Sequence, residues 1–196
     1  MTQETPHLIQ KIERGLELPD GFLVRLLNER DDWSFIIKTH ALVESAVNHA
    51  LVAKLRKREV SNVIARLALS NESTGKLALV KSLGLLEREH RTFIRWLSEL
   101  RNHIVHDVRN VDFQLNAYAD ELDSREPRLF RKRFGAIFKQ TSSESLVAPG
   151  VPERRTIIWA SASAIAGLCY VVKSREDLDI KIEQYQIESF ENFIKL

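Results

Sequence analysis

The chain has 196 residues, 44% of them hydrophobic and 29% charged, which is the balance of one ordinary globular domain or of one domain with an appendage. Its 7 Gly and 5 Pro are too few for a loop-rich or all-β architecture, and its single Cys169 excludes an internal disulfide and a structural thiolate zinc site. A net charge of +2 and a pI near 8.7 do not by themselves mark a nucleic-acid binder.

A chain of this length buries roughly 70% of its unfolded surface and needs no covalent staples, so the lone thiol fits a reducing, cytoplasmic setting. The opening Met1-Thr2-Gln3-Glu4-Thr5-Pro6 is polar with no apolar core behind it, unlike a secretory signal. Residues 6–17 and 20–29 read as two short helices separated by Leu18-Pro19-Asp20-Gly21, with Asp20 as N-cap of the second. Asp31-Asp32 then opens a long helix over 32–56, whose Ile36, Val43, Ala46, Val47, Ala50 and Leu51 recur at three- and four-residue steps. Residues 59–69 continue helically, and Ser70-Asn71-Glu72-Ser73-Thr74-Gly75 is a break.

A short amphipathic helix follows over 76–86, then a second long one over 88–107 with Phe93, Trp96, Leu97, Leu100, Ile104 and Val105 as its stripe. Residues 110–123 and 127–139 are further helices, 141–155 is a Ser-, Gly- and Pro-rich linker, and the final helical region breaks near Asp177-Asp179. Short strands over 171–172 and 178–182 are the weaker reading of that region. The apolar stretch Ile157 to Val172 runs 16 residues and ends at Lys173, short of the about 20 a spanning helix needs. It reads as a core or interface helix whose small residues permit close packing, not as a membrane segment. The pattern therefore predicts an all-α helical bundle in four parts: an N-terminal extension (1–29), the bundle (30–140), the linker (141–155), and a C-terminal helical region (156–196) packed on the bundle or on a dimer.

Charge is unevenly spread. Residues 54–58 and 125–133 are basic, and 176–191 are acidic. A basic run is either a solvated helix face or a phosphate-binding patch; in the second case Arg128, Arg131, Lys132 and Arg133 are the nucleic-acid contacts.

Residues 99–107 concentrate Arg101, Asn102, His103, His106 and Asp107 at the end of an apolar helix. On an ideal helix Asn102 and His106 lie within about 40° of each other, whereas Arg101 is about 140° from His106 and reaches it only through its long side chain. Together they suit a phosphate ester: an imidazole moves a proton near neutral pH, and a guanidinium offers paired donors to a phosphate. The same residues also fit a plain structural role, with His106 at the negative end of the helix and Arg101 paired to Glu99 or Asp107.

Arg101-Asn102-(three residues)-His106, late in a long helix, resembles the R-N-x-x-x-H signature of the HEPN superfamily. The preceding Leu97-Ser98-Glu99-Leu100, the following Asp107 and the upstream helix Trp33 to Leu51 are similar too, over about residues 30–140. The resemblance implies a bundle that dimerises so that two motifs line one cleft, and metal-independent endoribonuclease activity leaving a 2′,3′-cyclic phosphate. It makes His106 the general base or acid, Arg101 the stabiliser of the phosphorane and Asn102 the orienter, with His103 and Asp107 in support. Glu44 is the carboxylate expected to orient Arg101, and His40, Glu44 and Asn48 form a polar stripe that faces the cleft or solvent. Members paired with nucleotidyltransferase antitoxins carry a Tyr two residues after the His, where this chain has Val108.

His103, His106 and Asp107 lack the third well-placed ligand and second shell of a catalytic zinc, and no phosphate loop or nucleophile elbow appears, so neither metal nor cofactor is expected. Trp33, Trp96 and Trp159 sit in apolar stripes and read as packing residues. Three functions compete. The first is a ribonuclease acting in stress, toxin or defence responses as a homodimer, with RNA and a cognate antitoxin or regulatory protein as partners. The second is a non-catalytic regulator resembling the mannitol operon repressor type of bundle, and the third is an oligomerisation module.

Overall fold

The computed structural model describes residues 4–138 and 152–194, and among them helices and turns account for the whole fold, with no strand. Asp31 accepts the amide of Ser34 and starts α3 (Asp32–Leu55). Its buried Phe35, Ile36, Thr39, Leu42, Val43, Ala46, Val47, Ala50 and Leu51 cover more than one side. A helix apolar on several sides must be wrapped by others, and α3 is the centre of the bundle.

Its main partner is α9 (Glu153–Ile194), an unbroken helix of 42 residues, about 63 Å long at the usual rise. The two run parallel: Arg155 bonds Asp32 near the start of α3, and Glu176 bonds Lys54 at 2.5 Å near its end. Ile157, Ile158, Ala162, Ile165, Ala166 and Cys169 belong to the same core as α3, so the expected C-terminal region is built into the bundle. Glu153–Phe190 is long and apolar enough to cross a membrane by length and composition, and 44% of its apolar window is buried inside the bundle.

The break expected near Asp177-Asp179 is absent, as are strands at 171–172 and 178–182. There the acidic run meets the basic end of α3: Glu176, 6% exposed, takes Lys54 and the Arg56 Nε at 3.0 Å, and Glu183 takes Arg56 Nη1 at 2.6 Å. The basic run at 54–58 is thus partly neutralised within the chain. Beyond this clasp every residue from Lys181 to Phe190 is exposed. The linker expected at 141–155 lies outside the described residues up to residue 151, and 153–155 are the first turn of α9.

At the N-terminus, α1 (Glu4–Gly15) and α2 (Phe22–Leu27) pack on α9. The cap of α2 is Gly21 in the left-handed region, φ 72°, not Asp20. The fully buried Glu13 supplies the carboxylate instead, accepting from the amides of Gly21 at 2.8 Å and Leu23 at 2.9 Å. A carboxylate spanning two otherwise unpaired amides satisfies both the donors and the helix dipole.

The expected helix at 59–69 is a 3-10 turn (Arg58–Val60) followed by α4 (Ser61–Arg66). α5 (Lys76–Ser82) stops short of residue 86 because Gly84 turns left-handed at φ 62° and the Leu85 amide reaches back to Val80. The second long helix, α6 (Arg88–Val105), runs antiparallel to α3, since Ser98 faces His40 while Leu115, farther along, bonds Asp32. A 3-10 turn (Val108–Asp112), α7 (Leu115–Arg125), α8 (Leu129–Phe134) and a last 3-10 turn (Ala136–Phe138) complete the described chain.

Replacing Glu176 with Ala is expected to lower stability by about 1–3 kcal/mol, because the partly exposed Lys54 and Arg56 regain water while the buried pairing is lost. For a chain of this size that is a Tm drop of roughly 2–4 °C per kcal/mol. Urea unfolding of E176A and E176Q checks it, and an unchanged midpoint would mean the clasp is decorative.

Candidate functional site

The site is built on the last two turns of α6. The helix begins at a reciprocal cap in which the Glu87 amide donates to His90 Nδ1 at 3.2 Å and the Glu87 carboxylate accepts the amide of His90. Phe93, Ile94, Leu97, Leu100 and Ile104 bury one face and fix the helix roll. That roll leaves Arg101 half-buried and turns Asn102, His103 and His106 to solvent. At the C-terminus the His103 carbonyl accepts from Asn110 Nδ2 at 2.9 Å, and the His103 ring lies 6.2 Å from that of Tyr118.

Arg101 donates to Asn102 Oδ1 at 3.1 Å. Among the described residues no carboxylate pairs with its guanidinium, and no hydrogen bond or ion pair joins Arg101 to His106. Asp107 supports neither. Its Oδ1 caps the following 3-10 turn through the Arg109 amide at 2.9 Å, and both of its oxygens hold the Arg109 guanidinium, which keeps the carboxyl below its ordinary range.

Across from Arg101, α3 presents a polar chain. His40 Nε2 lies 3.2 Å from Ser98 Oγ, and its Nδ1 lies 3.9 Å from Glu44 Oε2. Burial pushes the His40 pKa below its ordinary value, Glu44 opposes this, and the charges of Arg101 and Lys76 add to it. Glu44, expected to orient Arg101, is instead bonded to the ammonium of Lys76, which is fully buried and also donates to the Ala65 carbonyl at 3.3 Å. Asn48 leaves the stripe: each four-residue step rotates it by about 40°, and it lines a different cleft with Ser45 and His49.

Ser98, His40 and Glu44 stand in the order of a hydrolytic triad, but the hydroxyl is used otherwise. Ser98 Oγ donates to the Ile94 carbonyl at 2.9 Å and is 3% exposed, so it accepts from His40 rather than giving it a proton. The set holds a neutral imidazole beside Arg101; it does not make a nucleophile. Sequence reasoning missed Lys76 and Ser98. The one readable sign is a polar residue within an apolar stripe at Ser98, while a charged residue opening a helix, as Lys76 does, looks solvated.

The basic run at 125–133 is largely engaged. Lys132 pairs with Glu126, Arg131 lies 3.9 Å from Glu153, and the Arg133 guanidinium sits 3.7 Å from the Trp96 ring centroid. Arg128 is exposed at the left-handed N-cap of α8. Trp159 packs with Nε1 donating to the Leu23 carbonyl at 2.8 Å, and Trp33 and Trp96 pack against the core. Among the described residues no group of three His, Cys, Asp or Glu converges as a metal site.

Glu44→Ala removes the ion partner of the buried Lys76 ammonium and should cost about 1–3 kcal/mol, whereas Lys76→Met with Glu44→Leu should come within roughly 1 kcal/mol of the parent, because no charge is then left unpaired. Chemical denaturation of the three proteins decides this. The depressed pKa values of His40, His49 and His90, all caused first by burial, mean that the unfolded chain takes up protons before the folded one. Stability is therefore fullest above the ordinary histidine value of 6.5 and falls as the pH drops below it. His40→Gln should flatten that slope below about pH 6.5.

Compared with protein-family models, with curated proteins and with solved structures, the chain matches none.

Proposed function

We propose that the chain is a metal-independent endoribonuclease of the HEPN type that acts as a homodimer. The observation that carries this reading is Arg101: its charge acts on the buried His40, and its guanidinium is bonded only to Asn102 and paired with no carboxylate among the described residues. A cation positioned in this way and left uncompensated suits an incoming phosphate. The exposure of His106 at the end of the same helix supports a role in proton transfer with a bound strand.

In this mechanism the 2′-hydroxyl of RNA attacks the adjacent phosphorus and the bond to the 5′-oxygen breaks. His106 of one protomer takes the proton from the nucleophile while a second imidazole, supplied by the other copy across the dimer axis, protonates the leaving oxygen. Arg101 balances the charge that builds on the phosphorane, and Asn102 fixes the guanidinium through its amide oxygen. The products are a 2′,3′-cyclic phosphate and a 5′-hydroxyl, with no oxidant or metal in the balance.

A second reading, a non-catalytic binding module similar to the mannitol operon repressor type of bundle, is favoured by one observation. The end of α9 exposes Leu178, Ile182, Tyr185, Ile187 and Phe190, the apolar surface by which a regulator would hold another protein. Incubation of the pure protein with mixed RNA in excess EDTA separates the two. His106→Ala and Arg101→Ala should each lose about 10²-fold or more in cleavage rate with unchanged unfolding curves. Equal cleavage by parent and variants, or none by the parent dimer, would favour the binding module.

A further inference from the structure

A cleft of about 640 Å³ opens between the C-terminal half of α3, the turn after it and the middle of α9. That is the size of small-ligand sites. It is lined by a different set of residues from the Arg101 site: none of Arg101, Asn102, His106, His40 and Glu44 borders it. It therefore stands independently of the ribonuclease reading.

The charge of the cleft is unbalanced in a specific way. Arg56 is spent on Glu176 and Glu183 and forms part of the wall. Lys57 and Arg58 line the cleft and are exposed, and their side chains have no hydrogen bond or ion pair among the described residues. Lys173 gives one donor to the Gly15 carbonyl at 2.7 Å and keeps its others. Two carboxylates, Glu17 and Asp177, also line the cleft and are outnumbered.

The uncharged lining is equally suggestive. Asn48 Oδ1 is buried with no hydrogen-bond partner, an arrangement proteins seldom leave unfilled. Ser45 and Ser61 bring hydroxyls, His49 is held neutral by burial, and Val52 and Ile180 give an apolar strip. We propose that this cleft binds a small phosphate monoester with a polar body, a sugar phosphate or nucleoside monophosphate. The phosphate, at roughly two negative charges, sits on Lys57 and Arg58, whose guanidinium fork matches its oxygens. The body lies along Val52 and Ile180, and its hydroxyls or ring nitrogens meet Asn48 and Ser45.

The test is calorimetric titration of the whole protein with inorganic phosphate, ribose 5-phosphate and AMP. Ribose 5-phosphate or AMP should bind in the millimolar range or tighter, and more tightly than inorganic phosphate. The double variant Lys57→Ala/Arg58→Ala, altered only at exposed positions, should weaken that binding by roughly tenfold or more. Asn48→Ala should keep the parent Tm, since it loses no bond within the chain, yet weaken the organic ligand by about tenfold while leaving inorganic phosphate unchanged. Cleavage of RNA by the double variant should equal that of the parent, which separates this proposal from the ribonuclease one. Failure of both organic probes to bind, equal affinity in parent and variants, or binding of RNA alone would overturn it.

Discussion

The structure depends on the parallel packing of α3 on α9. Parallel neighbours align their dipoles, which opposes association, so the seam needs compensation along its length. Small residues supply part of it: Ala162 and Ala166 lie fully buried in the core shared with α3, where Phe35, Val43, Val47 and Ala50 are buried too. Polar clasps secure both ends. At one, Arg155 holds Asp32 and the Glu29 carbonyl and lies over the Phe35 ring; at the other, Glu176 gathers Lys54 and Arg56. Asp32 also accepts the Leu115 amide at 2.8 Å, so the same clasp anchors the start of α7.

The position of Arg101 follows from that seam. α9 occupies one side of α3, so α6 must take another, and its antiparallel course brings Arg101 opposite His40. The interior between them is polar but closed: Ser98 returns its proton to its own helix, and Lys76 and Glu44 neutralise one another. What is left over is the Arg101 guanidinium. A buried network whose members satisfy each other acts as a rigid mount, and it holds the Arg101 guanidinium, which no carboxylate pairs among the described residues, at the edge of the bundle.

Charge elsewhere is arranged the same way. The basic run at 54–58 divides, Lys54 and Arg56 closing the seam while Lys57 and Arg58 face an open cleft. The run at 125–133 is mostly consumed by Glu126, Glu153 and Trp96. The end of α9 is the opposite case: no side chain from Lys181 to Phe190 is buried, yet the stretch carries large apolar residues.

The sequence alone determined the all-α character, the long helix opened by Asp31, the break before Gly75, and the gathering of Arg101, Asn102, His103 and His106 at one helix end. Those features are written in periodicity and capping, which depend on neighbours within a few residues. Tertiary structure decided the rest. The stretch near Asp177-Asp179 reads locally as a break, yet α9 runs through it, and there Glu176 meets Lys54 and Arg56, 120 or more positions away in the chain. Asp20 reads as a cap, yet Glu13 takes the amides because it is buried where the water that would solvate Asp20 cannot compete. Glu44 faces Lys76 rather than Arg101 because the choice between two cations belongs to whichever helix packs nearer, and spacing along one chain carries no record of that.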